Sequence, residues 1–419
     1  MKSNFEIFKN KKLFNRPVKF KKKKEIVYQT NFQIKKHFTG NSPPEIFVGR
    51  YNYPNVNAGI LTPDFHEDTE DLSMPERWHE KNFGIGDILT RRSKLIYGRF
   101  KTSIKRAVIK NRFKDLMQEI AMAYKPVSTE VFLKKNPKQH LEMNKYSPVI
   151  TNLAPLDNVR LQENTRVKKK VDYLVSDDHV KSAVAMNELH SSGIPTSSIQ
   201  KILSAGLLGL RTGRRLVPTR WSITAVDDTI CKSLLRRIRY YKEIDEVMLF
   251  HAEYVGNHYE ILILPGSFSF EIIEANVKFN NPGILKKIPG PSTSPYHEVA
   301  GVNFWQDFER FHGRKTYADE VTGGYYVARL AVCEYLDRIK RQGCVFVFRE
   351  TTSDYYAHLG VGILRECCRD AMNKKEERFV NKEDAFMKIQ DRINLNVDVF
   401  REKSILLREY GKQKKLWDF

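Results

Sequence analysis

The chain predicts an α+β fold: a mixed or antiparallel sheet with flanking helices, in two closely associated domains. Three observations carry this. Two apolar runs, 247–254 and 259–264, flank Val255-Gly256-Asn257-His258, which is the spacing of a β-hairpin with a short loop. Isolated apolar strands and helical stretches are mixed along the chain, without the regular alternation that a doubly wound parallel sheet needs. A length of 419 residues with 41% hydrophobic content is enough for two cores of ordinary size.

The elements follow in order. Asn41-Ser42-Pro43-Pro44 punctuates the start of the folded body, and Ile46-Phe47-Val48 reads as a short strand ending at Gly49-Arg50-Tyr51. A turn-rich loop, 53–59, comes next. Pro75 suits the first turn of a helix. Apolar spacing over 85–124 predicts helix, with Arg91, Arg92, Lys94, Arg99, Lys101, Lys105 and Arg106 on its basic face. Residues 130–133 read as a strand. Asp177 or Asp178 caps a helix to Ser191, which Gly193-Ile194-Pro195 ends. A further helix is expected over 229–241 and a strand over 267–274. A helix from about 324 to 341 leads through Gln342-Gly343 into the buried strand 344–348, and helices fill 353–370 and 381–410.

This gives a domain plan. Residues 1–36 form a basic, flexible N-terminal segment and 37–287 an N-terminal α+β domain. Residues 288–295, rich in Pro, Gly and Ser, form a linker. Residues 296–408 make a C-terminal, mainly helical domain with a buried strand, and 409–419 a tail.

Lys and Arg number 71 against 50 Asp and Glu, a net charge of +21. Such an excess attracts polyanions, of which nucleic acid is the commonest. A Lys-, Asn- and Ile-rich composition also arises from an AT-rich genome or accompanies life at high temperature. Clustering favours nucleic acid: the run 21–24 is four lysines, with Phe5, Phe8, Phe14 and Phe20 ahead of it. The five cysteines are odd in number and form no Cys-x-x-Cys pair, so they read as buried apolar residues and no metal site is expected. No apolar run reaches membrane-spanning length and no secretory h-region follows Met1, so a cytoplasmic protein is expected.

The densest chemistry lies in Arg214-Arg215-Leu216-Val217-Pro218-Thr219-Arg220-Trp221, continuing to Asp227-Asp228. Arg214, Arg215 and Arg220 offer planar guanidinium donors suited to phosphate, and Trp221 a face for a base. Asp227 and Asp228 read either as the cap of the helix after them or as a carboxylate pair for metal or proton handling. A second cluster, Gly323-Gly324-Tyr325-Tyr326, opens a helix carrying Arg329; backbone N–H groups there would favour a phosphate. Arg349 and Glu350 follow the buried strand 344–348. Walker A, Gly-x-Gly-x-x-Gly, His-Glu-x-x-His and Gly-x-Ser-x-Gly signatures are absent, so spacing assigns neither an enzyme class nor a cofactor.

The C-terminus is the most specific stretch. Gln413, Leu416 and Phe419 recur every three residues, the period of a 3₁₀ turn, which would place Leu416 and Phe419 on one side as an apolar plug. The pattern resembles the box by which replication and repair proteins dock on the PCNA-like DNA sliding clamp, ending in one aromatic where that box has two. The competing reading is a tail that packs on its own body.

Residues 42–54 (Ser-Pro-Pro-Glu-Ile-Phe-Val-Gly-Arg-Tyr-Asn-Tyr-Pro), residues 215–228 and the run Gly323-Gly-Tyr-Tyr-Val-Ala-Arg329, with Arg349-Glu350, together resemble the archaeal Nre family. That resemblance implies an archaeal protein linked to repair of DNA damage, whose members commonly end in a clamp-binding box. Two functions are then expected. The first is a DNA-repair factor that contacts phosphate through Arg50, Arg214, Arg215 and Arg220, with Arg329 and Arg349 in further support. It stacks a base on Trp221 or Tyr51 and is recruited to the clamp by Gln413, Leu416 and Phe419. The alternative is an enzyme acting on DNA or a nucleotide cofactor, a metal-dependent nuclease or an ADP-ribosyl transferase of the NAD type, using Asp227, Asp228 and Glu350.

Overall fold

The computed structural model describes residues 35–143, 145–277, 298–299 and 302–412. Most of the basic N-terminal segment, the 288–295 linker and the clamp-binding residues Gln413, Leu416 and Phe419 lie outside them. The chain divides into two compact units. Of the described residues, one takes in 35–234 together with Ala357–Glu366, the other Leu235–Tyr356 together with those from Cys367 on.

The first unit is built on seven strands: β1 (His37–Ser42), β2 (Ile46–Val48), β3 (Asn55–Thr62), β4 (Ile96–Ser103), β5 (Val127–Leu133), β6 (Lys138–Glu142) and β7 (Ile150–Leu161). Their order is β1-β5-β7-β4-β3-β2, with β6 also on β7. All pairs are antiparallel except β4 with β7. Seven helices begin in this unit: α1 (Pro75–Glu80), α2 (Ile85–Ser93), α3 (Arg112–Met122), α4 (Lys169–Ser176), α5 (Ser182–Ser191), α6 (Thr196–Ser204) and α7 (Thr219–Ile238). Leu61, Leu72, Leu95, Tyr97 and Ile150 form one apolar cluster against the sheet.

The second unit holds β8 (Lys242–Glu243), β9 (Val247–Tyr254), β10 (Asn257–Leu264), β11 (Ser269–Val277), β12 (Glu298–Val299), β13 (Val302–Glu309), α8 (Gly323–Ile339), β14 (Arg341–Gln342) and β15 (Cys344–Thr351). After α9 (Gly362–Asn373) come β16 (Glu377–Phe379), α10 (Lys382–Arg392), α11 (Val397–Lys403) and α12 (Ile405–Glu409). Its large sheet runs β12-β13-β11-β15-β10-β9-β16, and only β11 with β15 is parallel. Leu249, Leu262, Ile273, Phe346 and Phe348 line one face and meet Phe386, Ile389 and Phe400 of α10 and α11. On α8, Tyr335 meets Phe250 edge-on at 4.9 Å and Tyr325 meets Phe270 at 5.3 Å. Each such aromatic contributes about 1.5–3 kcal/mol by leaving water. The α+β class with mixed sheets is what the sequence predicts, and the hairpin 247–264 forms with Val255-Gly256 at its turn.

Several predicted elements differ. The stretch 85–124 is not one helix: α2 stops at Ser93, β4 intervenes, and α3 starts after Asn111, whose Oδ1 accepts from Lys114 N–H at 3.1 Å. The reason is visible in Tyr97, Arg99 and Lys101, which recur every two residues, a strand period. Lys181, not Asp177 or Asp178, is the N-cap of α5; Asp177 is the C-cap of α4. Its Oδ1 accepts from His179 and Val180 N–H in the turn between α4 and α5. Helix α7 starts ten residues before the expected 229, because Pro218 opens it by accepting from Trp221 and Ser222 N–H. The stretch 381–410 is three helices, since Asn381, Asn396 and Ser404 each accept from a first-turn N–H and restart the chain.

None of the five cysteines is in a disulfide; Cys231, Cys333, Cys367 and Cys368 are buried and Cys344 is half-buried. Among the described residues, no helix is long and apolar enough to cross a membrane.

Candidate nucleic-acid interface

Strand β2 and the start of α7 are tied together by one bond. Val48 N–H donates to Thr219 Oγ1 at 2.9 Å. This brings Arg50, two residues beyond Val48, and Arg220, one beyond Thr219, to the same pocket in the first unit. Arg99 of β4 reaches it as well, and Phe47, Tyr51 and Tyr97 supply apolar wall. Tyr97 anchors the floor: its hydroxyl lies 3.3 Å from Phe47 O and 3.2 Å from Asn57 O, and its ring meets Phe47 edge-on at 5.4 Å. β3 and β4 are drawn close at Gly59, where a Cβ would stand 1.9 Å from Gly98 O. Any side chain there would push apart the strands that carry Asn57 and Arg99.

The charges are not spent internally. Among the described residues no carboxylate pairs with Arg50, Arg99 or Arg220. Arg220 lies over the Tyr146 ring at 3.6 Å and Arg50 over Tyr51 at 5.5 Å, contacts that orient a guanidinium without neutralising it. Beside them Tyr53 and Trp221 meet at 5.3 Å, both about half exposed. Three unneutralised guanidiniums beside exposed rings can hold phosphate oxygens and stack a base.

The other predicted residues have different surroundings. Arg214 is buried, donating to Gly209 O and Asp177 O at 2.9 Å each. Arg215 is exposed and bonds Thr212 O and Arg214 O. Asp227 is enclosed in the first unit, where its Oδ2 accepts from Arg365 at 2.7 Å, and Asp228 pairs with Lys232 one helical turn on at 2.6 Å. Both sit inside α7, so neither caps it. Arg329, Arg349 and Glu350 belong to the second unit. Arg329 pairs with Glu309 at 2.7 Å, and Arg349 with Glu274 at 2.6 Å and with Asn257. Glu274 also occupies the start of α8: its Oε1 lies 2.4 Å from where a Cβ on Gly324 would stand, so a carboxylate already faces the glycines read as a phosphate cradle. Glu350 accepts from Asn394 N–H at 2.8 Å, and burial lifts its carboxyl above the ordinary carboxylate range. Among the described residues, no group of three His, Cys, Asp or Glu side chains is placed to hold a metal ion.

Residues 17–280 match the family model described as archaeal Nre, N-terminal, and 309–419 the one described as archaeal Nre, C-terminal. The chain belongs to the archaeal Nre family. It is similar to a protein named DNA repair protein NreB from Archaeoglobus fulgidus, at 34% identity over 386 residues, covering 92% of this chain and 93% of that one. It is equally similar to a protein named DNA repair protein NreA from Haloferax volcanii, at 34% over 385 residues, covering 91% and 88%. No solved structure matches.

Of the residues that line this pocket, Arg50, Tyr51 and Arg220 are among those singled out in the sequence, whereas Arg99, Phe47 and Tyr97 join them only in the structure. Arg99 was legible only as a basic residue in a supposed helix. Reading 97, 99 and 101 as a strand face would have set Tyr97 and Arg99 side by side.

Proposed function

We propose that this Nre protein is a DNA-repair factor that binds nucleic acid in the first unit and is recruited to the sliding clamp through Gln413, Leu416 and Phe419. The observation that carries the DNA half is the convergence of Arg50, Arg99 and Arg220, none paired with a carboxylate among the described residues, on a pocket walled by Phe47, Tyr51 and Tyr97. The names of the relatives support a place in DNA repair. The spacing of the last seven residues supports the clamp. In this reading the guanidiniums take successive phosphates, and Trp221 with Tyr53 offers the stacking platform. Arg215, exposed nearby in sequence, extends the phosphate track, while Arg214, Arg329 and Arg349 hold the fold.

The test is fluorescence anisotropy with a labelled single-stranded oligonucleotide and its duplex. Arg99→Ala and Arg220→Ala should each weaken binding by roughly tenfold, the scale of one charge-assisted hydrogen bond. Wild-type affinity in both variants would remove the pocket from the interface.

A further inference from the structure

A second pocket of the first unit adjoins the arginine-lined one across Tyr146–Pro148 and Pro218–Arg220. Its wall is made by one face of α6, the first turn of α7, the start of α9 and Ser73. Four residues that line it each carry a buried donor atom with no hydrogen-bond partner among the described residues: Ser73 Oγ, Ser197 Oγ, Lys201 Nζ and Arg365 Nε. All four residues are more than nine-tenths buried. Buried donors are ordinarily satisfied, because leaving one unmade costs about 1–3 kcal/mol and more for a charged group. Four at one pocket are therefore a built feature. By contrast, the pocket's other polar groups are engaged: Ser204 Oγ with Val217 O, Ser222 Oγ with Thr219 O, and Gln200 Nε2 with Asp227 Oδ1.

The charges around the pocket point the same way. Arg365 is matched by Asp227 at 2.7 Å. Glu45, also on the wall, stands 3.4 Å from Arg92 Nη1 and 3.6 Å from Lys201 Nζ, so one carboxylate serves two buried cations. Glu76 does not line the pocket; its Oε1 accepts from Ser197 N–H at 3.4 Å, and its Oε2 is buried without a hydrogen-bond partner among the described residues. Lys201 shares the Glu45 carboxylate with Arg92, and its ammonium has no hydrogen-bond partner among the described residues. A buried cation short of its counter-charge is costly, and an anion in the pocket would offset that cost.

We propose that this pocket binds a terminal phosphate monoester through Lys201, Arg365, Ser73 and Ser197. Two ammonium or guanidinium donors and two hydroxyls match the three free oxygens of a monoester, whereas a strand-internal diester offers only two. Coupled with the neighbouring arginines, the arrangement selects the phosphorylated end of a nucleic-acid strand, a step that rests on the nucleic-acid reading above. Phosphorylated ends are the products of strand incision, so the substrate class would be nicked or gapped nucleic acid.

The experiment uses the full chain at constant ionic strength. Inorganic phosphate is titrated by calorimetry, and anisotropy compares oligonucleotides bearing a 5′-phosphate, a 3′-phosphate or hydroxyls at both ends. One phosphorylated end should bind at least about tenfold tighter than the hydroxyl-ended strand, and Lys201→Met should abolish the difference. Should Lys201→Met fail to fold by circular dichroism, the double variant Ser73→Ala, Ser197→Ala should reduce the same ratio. Equal binding of phosphorylated and hydroxyl-ended strands would overturn the inference and leave the nucleic-acid reading standing. Phosphate binding that Lys201→Met removes, with no oligonucleotide bound, would keep the subsite for a small phosphate ester and end the nucleic-acid reading. Phosphate binding unchanged in Lys201→Met would place the anion elsewhere and overturn the inference.

Discussion

Arg365 donates from Nη2 to Asp227 Oδ2 at 2.7 Å, with both side chains closed off from solvent. The pair links the middle of α7 to the first turn of α9 within one unit, and Gln200 of α6 approaches the other Asp227 oxygen at 3.3 Å. Asp227 is thus a structural partner in a buried network, while its neighbour Asp228 pairs with the exposed Lys232.

The two aspartates should therefore separate cleanly on mutation. Asp227→Ala strands a buried guanidinium and should cost about 3–5 kcal/mol, whereas Asp228→Ala breaks an exposed pair worth about 0–1 kcal/mol. Urea unfolding midpoints give the comparison. Equal midpoints for the two variants would show that the Arg365 pair is not what holds α7 to α9.

Stability should fall between about pH 6.5 and 9. Burial disfavours a charged His258, but the Glu253 and Glu260 carboxylates outweigh it and hold its pKa up at about 9. Glu260 is the close partner, 2.7 Å from Nε2, with Glu253 at 3.8 Å from Nδ1. A folded pKa above the ordinary 6.5 means the folded state holds the proton more tightly. The stabilisation is present in full below about pH 6.5 and is lost as pH rises through 9. Melting temperature across that range should drop for wild type and flatten for His258→Gln. Parallel curves would refute the assignment.

Trp221→Ala should weaken binding of single-stranded oligonucleotide by about 1–3 kcal/mol, the worth of one base stacked on an aromatic. The indole is 44% exposed and tilted against Tyr53, so folding should be unaffected. Anisotropy reads the affinity, and wild-type binding by the variant would move the stacking platform elsewhere.

Calorimetry of the sliding clamp against the full chain should give a Kd on the order of 1 μM, lost on truncation before Gln413. Binding that survives truncation would mean that the clamp is held by another surface.

How much of this was legible in the sequence depended on range. Local signals succeeded: the hairpin 247–264, the start of α1 at Pro75 and the strand 46–48 each follow from neighbouring residues. The long basic stretch 85–124 misled because Ile, Leu and Phe at mixed spacing satisfy a helical period by chance, while Arg99 and Lys101 carried the true period of two. The arginines show the deeper limit. Arg50, Arg220 and Arg349 look alike in sequence, yet Arg349 meets Glu274, 75 residues away, while Arg50 and Arg220 meet rings and no acid. Which guanidinium is spent on the fold is decided by partners far along the chain. The pocket around Lys201 was invisible for the same reason, since Ser73, Ser197 and Arg365 converge only in three dimensions.

The most direct test of the central claim is the salt dependence of oligonucleotide binding. For wild type, log affinity should fall linearly with log salt, by about 0.7 per phosphate contacted on a single strand and about 0.9 on a duplex. Arg50→Ala, Arg99→Ala and Arg220→Ala should each lower that slope by about one contact. A wild-type slope near zero, or one that the three substitutions leave untouched, would contradict the assignment of this pocket to the phosphate backbone.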